Sequence, residues 1–140
     1  MYQEACERFN IHPVIDMAAS HINHVTENYI TKHDDLFTKQ ITEDGYLNPP
    51  YGHVIKEFIH YAYQQHLKHN INILMLIFSK TDTKWWHQYI EGRAEVYNIQ
   101  GRIQFNDEKG NPKLVWDKKN KKWIRGVAPY PSCWAIYRKK

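Results

Sequence analysis

The chain has 140 residues, carries 19 Lys and Arg against 15 Asp and Glu for a net charge of +4, and has a sequence pI near 9.0. That length suits one domain, 1–140, with a sizeable core, and leaves no room for a separate recognition domain, so a recognition surface must be built into the core unit. Nothing resembles a signal peptide, the longest apolar run, Ile73 to Phe78, is too short to span a membrane, and Cys6 and Cys133 lack metal or redox spacing; a soluble, intracellular protein with no metal and no membrane association is expected.

Tyr2 to Phe9 places Ala5, Cys6 and Phe9 on one side and reads as a short helix ending near Asn10. Val14-Ile15-Asp16-Met17-Ala18-Ala19 follows as a short apolar strand. An acid and then small residues is how many nucleoside-cofactor sites begin, because the carboxylate can bond a hydroxyl or amine while residues such as Ala18 admit the ligand. The alternative has Asp16 capping a helix that starts at Met17. Ala18 to Glu27 is expected to be helical, although His21, Asn23, His24 and Thr26 are poor helix formers. Tyr29-Ile30-Thr31 reads as a brief strand, and Asp34 or Asp35 beyond it either contacts a cofactor ring or caps the Leu36 to Gln40 segment. Only about thirty residues separate Asp16 from Asn48, room for one crossover unit, so the sheet is abbreviated on this side.

Gly45-Tyr46-Leu47 reads as a strand, and Asn48-Pro49-Pro50-Tyr51-Gly52 as a rigid elbow that neither helix nor sheet can continue. His53 to Lys68 is a helix with Val54, Ile55, Phe58, Ile59 and Ala62 on one face and Gln64, Gln65 and Lys68 outside. His60, His66 and His69 have no carboxylate at a metal-binding spacing and read as surface or partly buried residues. Asn72 to Phe78 is a fully buried central strand. If the strands are parallel, the loop after it, Ser79 to Trp86, shares the elbow's rim. There Lys80, Thr81, Thr83 and Trp85 could touch phosphate or a displaced base. Alternatively, Thr or Asp caps a Lys84 to Ile90 helix whose tryptophans pack inward.

Glu95 to Ile99 alternates like a strand, Gly101 interrupts before Ile103-Gln104-Phe105, and 106–112 is a loop by composition. Leu114-Val115-Trp116 and Trp123-Ile124-Arg125 form a hairpin whose turn carries Lys118, Lys119, Lys121 and Lys122. Near the rim it would clamp the phosphates of a polyanion, together with Arg102; otherwise it is a solvated basic hairpin. Cys133 to Tyr137 is a closing strand.

Asn48-Pro49-Pro50-Tyr51 resembles the signature of S-adenosylmethionine-dependent methyltransferases that act on planar exocyclic amines, above all that of adenine in DNA. A given tetrapeptide arises by chance in about one chain of this length per thousand or fewer. The amine's lone pair is delocalised into the ring. A side-chain amide oxygen and a backbone carbonyl that accept its two hydrogens can draw the nitrogen toward a tetrahedral shape and free that pair. Asn48 and Pro49 offer those acceptors, Pro50 fixes the turn, and Tyr51 offers a flat face for a base flipped out of the duplex. Together, Ile15-Asp16-Met17-Ala18-Ala19, Tyr29-Ile30-Thr31 with Asp34-Asp35-Leu36, the elbow, Thr81-Asp82-Thr83 with Trp85, and Gly101 to Phe105 resemble, in that order, the phage-type DNA N-6-adenine-methyltransferase family.

The resemblance implies an α/β chain with an abbreviated Rossmann-like methyltransferase fold, a mixed sheet with flanking helices and a C-terminal β-hairpin. It implies S-adenosylmethionine as cofactor, held by Asp16, Ala18, Asp35 and Asn48, and double-stranded DNA as partner. A virus- or prophage-encoded protein acting in the host cytoplasm fits it. The family's Thr-Pro segment ahead of the first helix and a Gly-x-Gly loop after Ile15 are absent here, which is compatible with a homodimer supplying the missing pieces. Methylation of RNA or of a protein glutamine, or a non-catalytic nucleic-acid-binding relative, are the alternative readings.

Overall fold

Two unbroken apolar runs set the architecture of the protein, described here from a computed structural model over residues 1–104, 106 and 111–140. They are β4 (Ile73–Phe78) and β8 (Ser132–Tyr137), paired antiparallel with every residue buried. A strand buried on both faces needs a layer over each. Ile73, Met75 and Ile77 point to one face, where they pack with Ile55, Ile59 and Ala62 of helix α2 (Ile55–His69). Leu74 and Leu76 point to the other, against Ala5, Cys6 and Phe9 of helix α1 (Tyr2–Phe9). Each fully buried aliphatic side chain contributes on the order of 1.5–3 kcal/mol.

The remaining strands are β1 (Ile15–Ala19), β2 (Asn28–Thr31), β3 (Gly45–Leu47) and β5 (Glu95–Asn98), which complete a six-stranded sheet of order β2-β1-β3-β4-β8-β5. Strands β2, β1, β3 and β4 are mutually parallel, and β5, antiparallel to β8, runs with them. The carboxyl ends of five strands therefore share one rim. Close approach of β1 and β3 depends on Gly45, where a Cβ would lie 2.8 Å from the Met17 sulfur. Strands β6 (Leu114–Asp117) and β7 (Lys122–Arg125) form a separate two-stranded ribbon, as expected.

Helix α1 ends where expected, with Asn10 in the left-handed region at φ 54°, and Asn70 closes α2 the same way at φ 50°. Several expectations need correction. Ala18 to Glu27 is not helical: β1 runs on to Ala19, and bends follow. Asp16 therefore caps no helix; its carboxylate accepts from the Ala18 and Val25 amides at 3.3 and 3.0 Å and ties the loop down. Gln65 is inside rather than outside, because its amide oxygen accepts from the Ile41 N–H at 2.7 Å. His66 is buried too, with Nδ1 2.8 Å from the Ile71 carbonyl oxygen. Leu36–Thr38 is a single 3-10 turn, and Trp86–Ile90 winds as a π-helical turn. Both Trp85 and Trp86 lie in the core, so the inward-packing alternative holds and Trp85 is not an exposed aromatic of the loop. Gln104 pairs with Val127 as an isolated bridge, while Phe105 and most of the 106–112 loop lie outside the described residues.

Candidate active site

The chain leaves β1 toward β2 on one side and returns to β3 on the other, so the strand order reverses direction between β1 and β3. A crevice at the carboxyl ends of such a pair is where open α/β sheets bind ligands. The elbow Asn48-Pro49-Pro50-Tyr51 occupies that place, directly after β3. Pro49 is buried and anchors the turn, while Asn48 and Pro50 are exposed at the rim. Gly52, at φ 110°, adopts a backbone conformation that a side chain resists and lets the chain turn into α2.

Two hollows flank the elbow. One, of ≈ 600 Å³, is lined by Ala18, Ala19, Asp35, Asn48 and Pro50, with Phe37 and Phe58 as an aromatic wall in edge contact at 5.2 Å. It brings three of the four expected cofactor residues together: Ala18, Asp35 and Asn48. Asp16 does not line it. It is buried beside Tyr46, its partner in the β1–β3 register, and burial raises its carboxyl above the ordinary aspartate value. Asp35 does both things considered for it, since Oδ1 accepts from the Phe37 N–H at 3.2 Å while the residue lines the hollow. Neighbouring Asp34 accepts from the Thr31 amide at 3.0 Å, which holds its carboxyl below the ordinary value.

The second hollow, of ≈ 710 Å³, is lined by Tyr51, Gly52, Phe78, Lys80, Trp85 and Tyr130. One face of the Tyr51 ring is stacked on Phe78, with centroids 3.9 Å apart and planes within 10°. Its hydroxyl donates to Asn48 Oδ1 at 3.3 Å, and burial of the ring's inner side raises the phenol. Lys80 Nζ sits 4.4 Å from the Tyr130 ring centroid. A further hollow of ≈ 500 Å³ lies along Glu27 to Ile30 and Lys39 to Glu43, and no elbow residue lines it.

The sequence matches known proteins. The family model described as DNA N-6-adenine-methyltransferase (Dam) covers residues 1–127. The chain belongs to the DNA N-6-adenine-methyltransferase family. A protein of Haemophilus phage HP1 (strain HP1c1) named DNA N-6-adenine-methyltransferase is 29% identical over 144 residues, covering 98% of this chain and 81% of the phage protein. No solved structure matches.

The other residues singled out for DNA divide in two on this family member. Lys80 lines the Tyr51 hollow, and Thr81 is exposed beside it. The Thr83 hydroxyl donates to the Lys80 carbonyl at 2.7 Å and accepts from the Trp86 N–H at 3.3 Å, so it caps the helical segment that starts at Lys84. Trp85 reaches the same hollow from the core. Arg102 and the ribbon lysines Lys118, Lys119, Lys121 and Lys122 are exposed. They share the elbow's rim topologically, because β5 ends and β8 begins there, Asn98 opposite Cys133 and Ser132 opposite Phe78. Sequence reasoning missed Phe37 and Tyr130 and took Phe58 only as core. Exposed aromatics preceding or following turns were the available signal for the first two. Among the described residues no group of three or more His, Cys, Asp or Glu is placed to hold a metal, and no helix is long and apolar enough to cross a membrane.

Proposed function

We propose that the chain methylates the exocyclic amine of adenine in double-stranded DNA, with S-adenosylmethionine as donor. The observation that carries this is Asn48, exposed at the β1–β3 crevice on an elbow with a hollow on each side. The strand reversal there supports an abbreviated Rossmann-like methyltransferase sheet.

The hollow lined by Ala18, Asp35, Phe37, Phe58 and Asn48 has what a nucleoside cofactor requires: room beside small residues, an aromatic wall and carboxylates for hydroxyls. Bound there, S-adenosylmethionine supplies an electrophilic methyl on a sulfonium that departs as a neutral thioether. Ala18 makes space, Asp35 accepts from hydroxyls, and Phe37 and Phe58 take the ring system. On the far side of the elbow, Tyr51 and Tyr130 offer aromatic surface to an adenine extruded from the duplex, and Lys80 attracts its phosphate. Asn48 Oδ1 then exchanges the Tyr51 hydroxyl for one amine hydrogen, and the Pro49 carbonyl accepts the other. With both N–H bonds held, the nitrogen lone pair is directed toward the first hollow. The elbow would thus present the amine for methylation, and the proton that the amine must lose would go to solvent.

Incubation with labelled cofactor and mixed-sequence duplex, followed by mass spectrometry of the nucleosides, tests this. N6-methyladenine is expected from the intact chain, and Asn48→Ala is expected to lower turnover by about 10²–10³ with an unchanged melting temperature, since Asn48 is exposed. Finding no methyladenine above the Asn48→Ala background refutes the proposal.

A further inference from the structure

One large aromatic side chain is buried where neither core needs it. Phe78, the last residue of β4, is 4% exposed. Alternation along the strand turns it to the side of Leu74 and Leu76, the face that α1 covers, yet it belongs to neither the cluster around α1 nor the one around α2. Among the described residues its ring neighbours are two side chains of the rim. Tyr51 is stacked on it at 3.9 Å with planes within 10°, and Tyr130 meets it at 5.4 Å, tilted by 60°. All three line the hollow on the far side of the elbow.

Of the two stacked rings, Phe78 is the fixed one. Its backbone pairs with Ser132 in the β4–β8 register, the Ser79 N–H donates to the Pro131 carbonyl at 2.8 Å, and Tyr130 carries Lys80 Nζ 4.4 Å from its ring centroid. Tyr51, by contrast, is 37% exposed at the end of an elbow, where a phenol ring has several rotamers open to it. Flat contact with a fixed ring selects one of them, so the ordering of Tyr51 is complete before a base arrives. The selected pose also sets the Tyr51 hydroxyl 3.3 Å from Asn48 Oδ1.

We propose that Phe78 is a positioning residue for base recognition: it holds the Tyr51 ring in the plane on which the extruded adenine stacks. The inference rests on the base-binding role of Tyr51 in the proposed function and adds a residue that acts through Tyr51 without touching substrate. The role needs a flat ring. An aliphatic side chain of similar volume would fill the space under Tyr51 and leave its plane unset.

Base stacking, not methylation, is the readout, so this inference and the proposed activity fail separately. The probe is a DNA duplex with one 2-aminopurine in an unpaired bulge, whose emission falls when the base stacks on an aromatic ring. Titration with the intact chain is expected to quench it. Phe78→Leu and Phe78→Met, which keep an apolar side chain without a flat face, are each expected to weaken binding in that titration about two- to tenfold. Phe78→Tyr is expected to restore it. Tyr51→Leu is expected to weaken it as well, and adding Phe78→Leu to that chain to cost less than about twofold more, because nothing is then left to position. A Phe78 that only supports the fold gives losses that add. Additive losses, unchanged quenching in Phe78→Leu and Phe78→Met, failure of Phe78→Tyr to restore it, or an intact chain that leaves the emission unchanged overturns the inference. Loss of a cooperative urea transition in both aliphatic variants places Phe78 in the core and overturns it too.

Discussion

The protein builds two antiparallel ladders from similarly apolar sequence and uses them oppositely. The β4–β8 ladder is buried throughout between α1 and α2, whereas the β6–β7 ladder, also rich in Leu, Val, Ile and Trp, is exposed on both faces. Hydrogen-bond pattern and composition do not separate them; the covering layers do. A helix on each face turns an apolar strand into a source of stability, and the lack of such cover on the ribbon turns it into a surface for something else.

The largest expected effect tests the covered side of that contrast. Ile77, fully buried one residue from the carboxyl end of β4, packs among the residues of the α2 face. Ile77→Ala is expected to lower the unfolding free energy by about 2–5 kcal/mol in urea titrations, and Trp123→Ala to change it by less than about 0.5 kcal/mol. Comparable losses from both would place the ribbon in the core and dissolve the contrast.

The next effect concerns affinity alone. Replacing Lys118, Lys119, Lys121 and Lys122 together by Gln is expected to reduce the slope of log affinity against log salt by about 3 to 4. The urea midpoint should stay where it is, because all four side chains are exposed. Duplex binding measured from low to moderate salt gives the slope. An unchanged slope would mean that the lysines face away from phosphate and that the ribbon's charge is only solvated surface.

Much of this was legible in the sequence. Unbroken apolar runs gave β4 and β8, the proline pair gave the elbow, and the Gly45-to-Leu47 strand before it and the Ile55 helix after it lie where expected. The ordered motifs gave the family. The rest failed for identifiable physical reasons. Ala18 to Glu27 became a bent loop because the Asp16 carboxylate, buried under it, satisfies two of its amides. Gln65 was read as an outer residue because helical spacing cannot register a partner 24 residues away, the Ile41 amide. The second hollow was hidden because its walls come from Tyr51, Phe78, Trp85 and Tyr130, which only the folded sheet assembles.

The smallest effect contrasts a covered and an uncovered carboxylate. Glu95, on the edge strand β5, receives Arg138 Nε and Nη2 at 2.6 and 3.2 Å, and Arg138 Nη1 also reaches the Phe9 carbonyl at 3.0 Å. The guanidinium holds the Glu95 carboxyl below the ordinary glutamate value. A lowered folded-state pKa means that the unfolded chain binds the proton first. The pair therefore stabilises fully above the ordinary glutamate range and loses its contribution as pH falls through the folded value. Asp16 has the opposite sign: burial raises its pKa, so the folded chain holds the proton longer and stability declines as pH rises from the ordinary aspartate value through the raised one. In the acid range the two slopes oppose each other. Glu95→Gln is expected to cost up to about 1 kcal/mol near neutral pH, a magnitude set by solvent screening of a partly exposed pair. The difference from the intact chain should shrink to nothing in strong acid, leaving the Asp16 decline unmasked in the variant. Urea unfolding at a series of pH values reads both slopes, and a Glu95→Gln difference independent of pH would assign the Arg138 contact to packing rather than charge.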